Sequence, residues 1–252
     1  MKQNIFRWAF PSMIALTGVS EGSFVLVDNF EGYTAGSDLN GSGGWTANGD
    51  TKVLVDPDDA GNQALNSAET ATVTTTNVHK AIPVIDQTSV GTIFFRARAQ
   101  NPADLVIGSS DVAAPANWPD FEGYMRFAGG NIDVRDGGGF SNVGTYTAGE
   151  WYNVWLVLDH TTDTTTVHFN QGDADAPAAA GSGAFRTTGN TVHDDIINVF
   201  IRNNDPTNSG FVDDIYVDNT GANLTNPTAI PEPASSLLAL LGLVFGLRRR
   251  RS

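Results

Sequence analysis

Between Ser23 and Thr225 stretches in which apolar side chains alternate with period two recur, and no stretch shows convincing helical spacing of three and four. This alternation is what most narrows the fold. In Thr92 to Ala99, Ile93, Phe95, Ala97 and Ala99 share one face of a pleated strand, while Thr92, Phe94, Arg96 and Arg98 share the other. Trp151 to Asp159 alternates in the same way but is apolar on both faces, which predicts a central strand. Thr164 to Asn170 follows after the polar turn His160 to Asp163 and reads as a hairpin partner. Tyr124 to Ala128 and Ile132 to Arg135 flank Gly129-Gly130-Asn131, a second hairpin signal, and Phe211 to Val217 is the final strand, with Phe211, Asp213, Ile215 and Val217 on one side. Shorter candidates are Lys52 to Val55, Gln63 to Leu65, Ala71 to Thr75, Val143 to Tyr146 and Asn198 to Ile201. The segments between them are rich in Gly, Asn, Asp and Pro, including Gly41 to Gly49 and Asp173 to Gly183. The pattern predicts one all-β domain over residues 21–225, an antiparallel two-sheet sandwich with few helices.

Cysteine is absent, which removes disulfides, thiolate metal sites and a cysteine nucleophile. Residues 21–230 hold eight Lys and Arg against twenty-seven Asp and Glu, a net charge of −19. Such a surface repels phosphate backbones, so nucleic acid is excluded as a partner while cations and neutral glycans remain compatible.

Both ends read as signals. Lys2 and Arg7 precede an apolar run from Trp8 to Val19, broken by Pro11 and Ser12, and then the small residues Gly18 and Ser20. That order predicts a helical secretory signal over residues 1–20, cleaved after Ser20. In residues 226–252 a linker leads to Pro231-Glu232-Pro233, then to an apolar helix from Ala234 to Leu247, then to Arg248, Arg249, Arg250 and Arg251. A fourteen-residue helix reaches only about 21 Å, against a hydrocarbon core of about 30 Å, so it suits transient and not permanent residence in the inner membrane. The arginines lie on the cytoplasmic side by the positive-inside rule, and the prolines keep Glu232 extended and accessible to a protease.

This tail resembles the PEP-CTERM signal read by exosortases, which are membrane transpeptidase-like proteases. The resemblance implies a Gram-negative bacterium that makes exopolysaccharide, processing near the motif, and delivery to the envelope surface or extracellular matrix. In the body, Gly149-Glu150-Trp151-Tyr152-Asn153-Val154, Asp159 and Val167-His168-Phe169-Asn170-Gln171-Gly172 are similar to the late hairpin of laminin-G-like and concanavalin A-like jelly rolls. Asp28-Asn29-Phe30-Glu31-Gly32-Tyr33 and Phe211-Val212-Asp213-Asp214-Ile215 resemble that superfamily's first and last strands. The resemblance implies a jelly-roll sandwich, a scaffold that carries lectins, hydrolases, lyases and plain spacers alike.

Catalysis needs carboxylates sharing a face, and the nearest pairs, Asp120 with Glu122 and Asp133 with Asp136, do not meet that need: the first adjoins Pro119 and the second has the wrong parity. His79, His160, His168 and His193 show no metal-ligand spacing. No catalytic constellation is therefore expected. For glycans, Trp45 and Trp118 fall in expected loops, and Trp155 with Arg96 would face a concave sheet. For metal, Asp213 matches the position at which concanavalin A-like enzymes hold a structural calcium, with Glu31 as its partner, so calcium is the one cofactor this resemblance implies. The reading is a noncatalytic exported protein with a structural or adhesive role in an exopolysaccharide matrix, with a glycan-binding lectin-like module as the alternative.

Overall fold

A computed structural model describes residues 23–48, 50–68, 75–100, 103–189, 191–204 and 210–229. The expected signal over 1–20, most of the candidate strand Ala71 to Thr75, and the tail with Pro231, Glu232, Pro233 and Arg248 to Arg251 lie outside the described residues. Among the described residues no helix is long and apolar enough to cross a membrane.

Fifteen strands are present among the described residues: β1 (Val25–Asp28), β2 (Trp45–Ala47), β3 (Asp50–Val55), β4 (Gln63–Ala68), β5 (Thr76–Ile85), β6 (Val90–Ala99), β7 (Asp104–Ser110), β8 (Tyr124–Ala128), β9 (Asn131–Asp136), β10 (Gly139–Thr145), β11 (Trp151–Asp159), β12 (Thr164–Asn170), β13 (Gly181–Ala184), β14 (Ile196–Asn203) and β15 (Gly210–Asp218). One 3₁₀ turn, Trp118–Asp120, is the helical element described. The larger sheet runs β13-β12-β11-β6-β15-β4-β3, with β1 also on β15, and the smaller runs β10-β9-β8-β7-β14-β5-β2. Every strand pairing is antiparallel. This is the two-sheet antiparallel sandwich that the alternation predicts.

The core lies between the sheets. Ile93, Phe95 and Ala97 of β6 and Val154, Leu156 and Leu158 of β11 meet Ile107, Phe127, Val134, Val199 and Ile201 of the smaller sheet, all of them fully buried. The Gly129-Gly130 turn takes φ values of 58° and 86°, which suits a two-residue hairpin and is open to glycine at little cost.

One expectation fails on a single residue. The pairing of β15 with β6 slips between Asp213 and Tyr216, where Asp214 adopts φ 49°. This bulge switches parity along the strand. Ile215 and Val217 join the core with Val212, whereas Phe211 packs on Trp151, ring centroids 6.4 Å apart, on the outer side of the sheet. Asp213 is thus not on the core-facing side with Ile215.

Candidate functional site

The outward side chains of the two sheets form two unlike surfaces. On the larger sheet, Arg96 of β6 lies over the Trp151 ring at 4.9 Å and points Nη1 at Asp214 Oδ2 (3.3 Å) and Asp213 Oδ2 (3.8 Å). Asn62 donates to Asp213 Oδ2 at 2.9 Å and to Asp56 Oδ2 at 3.2 Å, and the Trp151 Nε1 donates to Asp56 Oδ1 at 3.1 Å. Burial, then the adjacent Asp214, push Asp213 up to about 7 despite the Asn62 and Asp214 donors and Arg96. A surface cavity of about 410 Å³ opens here beside Arg96, Trp151, Asn153 and Asp214.

Farther along this face the chain closes over itself. Trp155 is 0% exposed, edge-on to Phe94 with centroids 5.0 Å apart, and its Nε1 donates to the Thr225 carbonyl at 2.8 Å. The segment after β15 is held down by Ala176 N to Leu224 O (2.8 Å) and Asn226 N to Asp175 Oδ1 (2.8 Å). Trp155 is a covered packing residue in this arrangement, separated from solvent by the chain's own backbone.

Trp45 lies in β2 and not in a loop, and it is 1% exposed. It stacks on Phe30 at 5.7 Å and donates to Asp28 Oδ2 at 2.8 Å. Burial alone would raise the Asp28 carboxyl, but donors from Lys80, Tyr33, Trp45 and the Phe30 amide hold it below the usual range. Trp45 and Trp155 therefore offer no free ring face.

The calcium pair is likewise taken up by protein groups. Glu31 Oε1 accepts from the Gln63 amide at 2.8 Å, and Asp213 Oδ1 accepts from the Asp214 amide at 2.8 Å. With Asn62 on the other Asp213 oxygen and Arg96 supplying positive charge, this donor set does not fit a dication. Among the described residues no group of three or more His, Asp or Glu is arranged to hold a metal ion.

The candidate acids are dispersed among different roles. Asp120 Oδ2 caps the 3₁₀ turn, accepting from the Ala116 and Asn117 amides at 2.7 Å each. Glu122 is 0% exposed, with Oε1 2.9 Å from His193 Nδ1, and among the described residues neither of its carboxyl oxygens makes a hydrogen bond. Burial, then Asp111, Asp163 and Asp194, push it up to about 9, so it holds its proton at neutral pH and is unsuited to act as a carboxylate nucleophile. Asp133 is paired with Arg126 at 3.1 Å, and Asp136 accepts from Ser141 Oγ at 2.8 Å.

The smaller sheet presents a surface the alternation did not single out. Val106, Phe121, Tyr124 and Phe200 form a second buried apolar cluster outside this sheet, with Trp118 and Phe140 partly exposed at its margins. Gly108 makes room for it, because a Cβ there would meet the Tyr124 Cβ at 2.2 Å. Phe121 stacks on Phe200 at 4.1 Å, and Phe140 meets Tyr124 edge-on at 5.8 Å. Four arginines surround these rings. Arg126 covers Phe140 at 3.6 Å, Arg135 lies 5.2 Å from Phe140 and 5.8 Å from Tyr124, and Arg202 lies 5.1 Å from Trp118. Arg186 Nη1 donates to the Tyr124 hydroxyl at 2.8 Å. Of the expected glycan residues, Trp118 alone reaches this surface.

Comparison with known proteins separates tail from body. Residues 229–251 match the PEP-CTERM protein-sorting motif, which marks an exported protein that passes through a membrane. No curated protein is similar enough in sequence to count as a relative. In structure the body is similar to part of a sialidase, at TM-score 0.55 and 15% identity over 76% of this chain, which spans 18% of that protein. It is similar to a carbohydrate esterase of the Shiga toxin-encoding bacteriophage phi24B, at TM-score 0.51 and 13% identity, covering 79% of this chain and 100% of that one. It also resembles the T. cruzi calreticulin globular domain, at TM-score 0.50 and 10% identity over 82% of this chain and 90% of that one. At such identities the likeness is one of fold.

Proposed function

We propose that the chain is a noncatalytic protein of the cell surface or extracellular matrix, delivered through exosortase-type processing of its tail, whose sandwich takes part in the matrix by holding carbohydrate. The observation that carries this reading is the sorting motif at 229–251, joined to an acidic sandwich. A short apolar span with an arginine terminus retains the chain in the inner membrane only until a protease acts near Glu232. The partly exposed Trp118 on the outer face of the smaller sheet supplies an aromatic ring of the kind that sugars stack on, with arginine donors near it. Asp120 caps a turn, Asp133 is ion-paired and Asp136 accepts from Ser141, so these three carboxylates are engaged within the protein, which favours binding over hydrolysis.

Mass spectrometry of the protein recovered from a host carrying the matching protease tests the sorting half. The expected result is a product ending close to Glu232 and found outside the inner membrane. Full-length chain persisting uncut in the inner membrane of that host would overturn it. Co-sedimentation with exopolysaccharide tests the binding half, and a protein that stays wholly in the supernatant would refute it.

A further inference from the structure

Acids outnumber bases more than threefold in residues 21–230, yet the outer face of the smaller sheet gathers four of the eight cations there. Among the described residues Arg135, Arg186 and Arg202 form no ion pair. Arg135 donates to the Gly137 carbonyl and Thr188 Oγ1, Arg186 to the Thr188 carbonyl and the Tyr124 hydroxyl, and Arg202 to Asn204, Asn77 and the Ala116 carbonyl. Only Arg126 has a carboxylate partner, Asp133. On the larger sheet the pattern is the reverse, since Arg96 and Arg98 both sit against aspartates. Three of these guanidiniums are thus held by neutral oxygens, while Asp104 and Asp120 act on Arg202 as nearby charges.

Those guanidiniums also converge. Arg186 holds the Tyr124 hydroxyl, Arg135 lies beneath and is 5% exposed, and Arg126 reaches the same spot across Phe140. Burial, and then Arg186 and Arg126 as like charges, hold Arg135 below the usual guanidinium value. Like charges brought together cost Coulomb energy that an incoming anion removes. A planar guanidinium fork matches a carboxylate, and the flanking, partly exposed Trp118 offers a ring to a sugar. The partly exposed Trp118 beside the guanidiniums favours an anion carried on a ring that can stack over a bare phosphate chain, so a polymer with carboxylates borne on sugar rings fits best.

We propose that this face binds a carboxylate-bearing polysaccharide of the uronate type, with Arg186 taking its carboxylates, Arg126 and Arg135 adding positive potential beside it, and Trp118 stacking on its rings. The proposal rests on the carbohydrate reading above and names the ligand class. It makes the surface a reader of acidic exopolysaccharide and gives an acidic protein a local means of holding an acidic polymer.

Affinity electrophoresis of the full chain in mild detergent tests it, with polygalacturonate in one gel and the same polymer with its carboxyls reduced to neutral alcohols in another. Retardation by polygalacturonate at least tenfold stronger than by the reduced polymer is expected, together with a loss of at least tenfold in Arg126→Gln and Arg186→Gln. Arg98→Gln removes the same charge from the opposite sheet and should bind as the parent does, with thermal melting confirming that all three variants fold. Equal retardation by both polymers, or undiminished binding by the two variants, would overturn the anionic site while leaving carbohydrate binding standing. Absence of retardation by either polymer and by the host's own exopolysaccharide would overturn both readings. Equal binding to polyphosphate would reduce the face to a general anion patch and also overturn the proposal.

Discussion

The outer faces of the two sheets are built from the same strand alternation, yet they end in opposite states. On the larger sheet the chain itself covers Trp155 beneath Thr225, and Arg96 and Arg98 face aspartates beside the cavity at Trp151. On the smaller sheet the outward aromatics form a small cluster of their own with Trp118 and Phe140 at its margins, and three arginines have no ion pair among the described residues. The difference shows that an outward position in a pleated strand is only an opportunity. Distant parts of the chain, a covering segment in one case and a loop that leaves a ring partly exposed in the other, decide whether it becomes core or surface.

The strongest way to break this contrast is to remove one tryptophan from each face. Trp155→Ala should lower unfolding stability by about 4 kcal/mol, because a fully buried indole leaves a cavity and an unanswered Thr225 carbonyl. Trp118→Ala should cost about 1 kcal/mol, since its ring is partly exposed. Urea unfolding of both variants measures the gap, and equal losses would show that the two faces are not differently closed.

Much of the fold behind this contrast is legible in the order of residues alone. β6, β8, β9, β11 and β12 follow the alternation closely, because each has one face on a single core, whereas the bulge at Asp214 breaks it in β15. β7 escapes it: Leu105, Val106 and Ile107 are consecutive apolar residues, and they are explained only by the second cluster outside the sheet. β5 hides behind Lys80 and Pro83 and carries an irregular register near its end, while β2 and β13 are short and glycine-flanked. The site is less legible than the fold. Trp155 and Arg96 do share a face, as their parity says, but parity carries no information about a segment seventy residues later, which is what covers Trp155. The arginine face escapes a strand-by-strand reading because strand order brings β8, β9 and β14 into one sheet, while the stretch after β13 joins them through the Gly137 N to Ala184 O and Arg186 N to Glu122 O bonds. A usable signal is present in the bare chain, namely that half of a scarce charge type lies between Arg126 and Arg202.

A second and smaller effect concerns the end of the sandwich adjoining the smaller sheet. Glu122 has an ordinary value of 4.5 and is pushed up to about 9 in the folded state, by burial first and then by Asp111, Asp163 and Asp194. A raised folded value means that stability from this group is fully present below pH 4.5, erodes as pH rises, and levels off above about 9. Glu122→Gln keeps the shape of the neutral acid and cannot ionise. It should leave stability near pH 5 almost unchanged and raise it at pH 8 by on the order of 2 kcal/mol. Melting curves across that range check the slope, and a parent protein with the same slope as the variant would show that Glu122 is ionised in the fold.

The smallest effect sharpens the comparison most directly, because it sets a paired arginine against an unpaired one. Arg96→Gln leaves Asp213 and Asp214 facing each other without their cation and should cost about 1 kcal/mol at pH 8. Asp213 is pushed up to about 7, so below that value it takes a proton and needs Arg96 less; the cost should shrink toward pH 5.5. Arg186→Gln, which gives up a phenol and a carbonyl but no acid, should change stability by less than about 0.5 kcal/mol at either pH, since it also relieves the crowding of charge around Tyr124. Millimolar calcium belongs in the same melting experiment. With Arg96 in place it should not move the midpoint of the parent, and a rise of several degrees would return the cation's role at Asp213 to a metal and dissolve the distinction between a face satisfied from within and one that awaits a ligand.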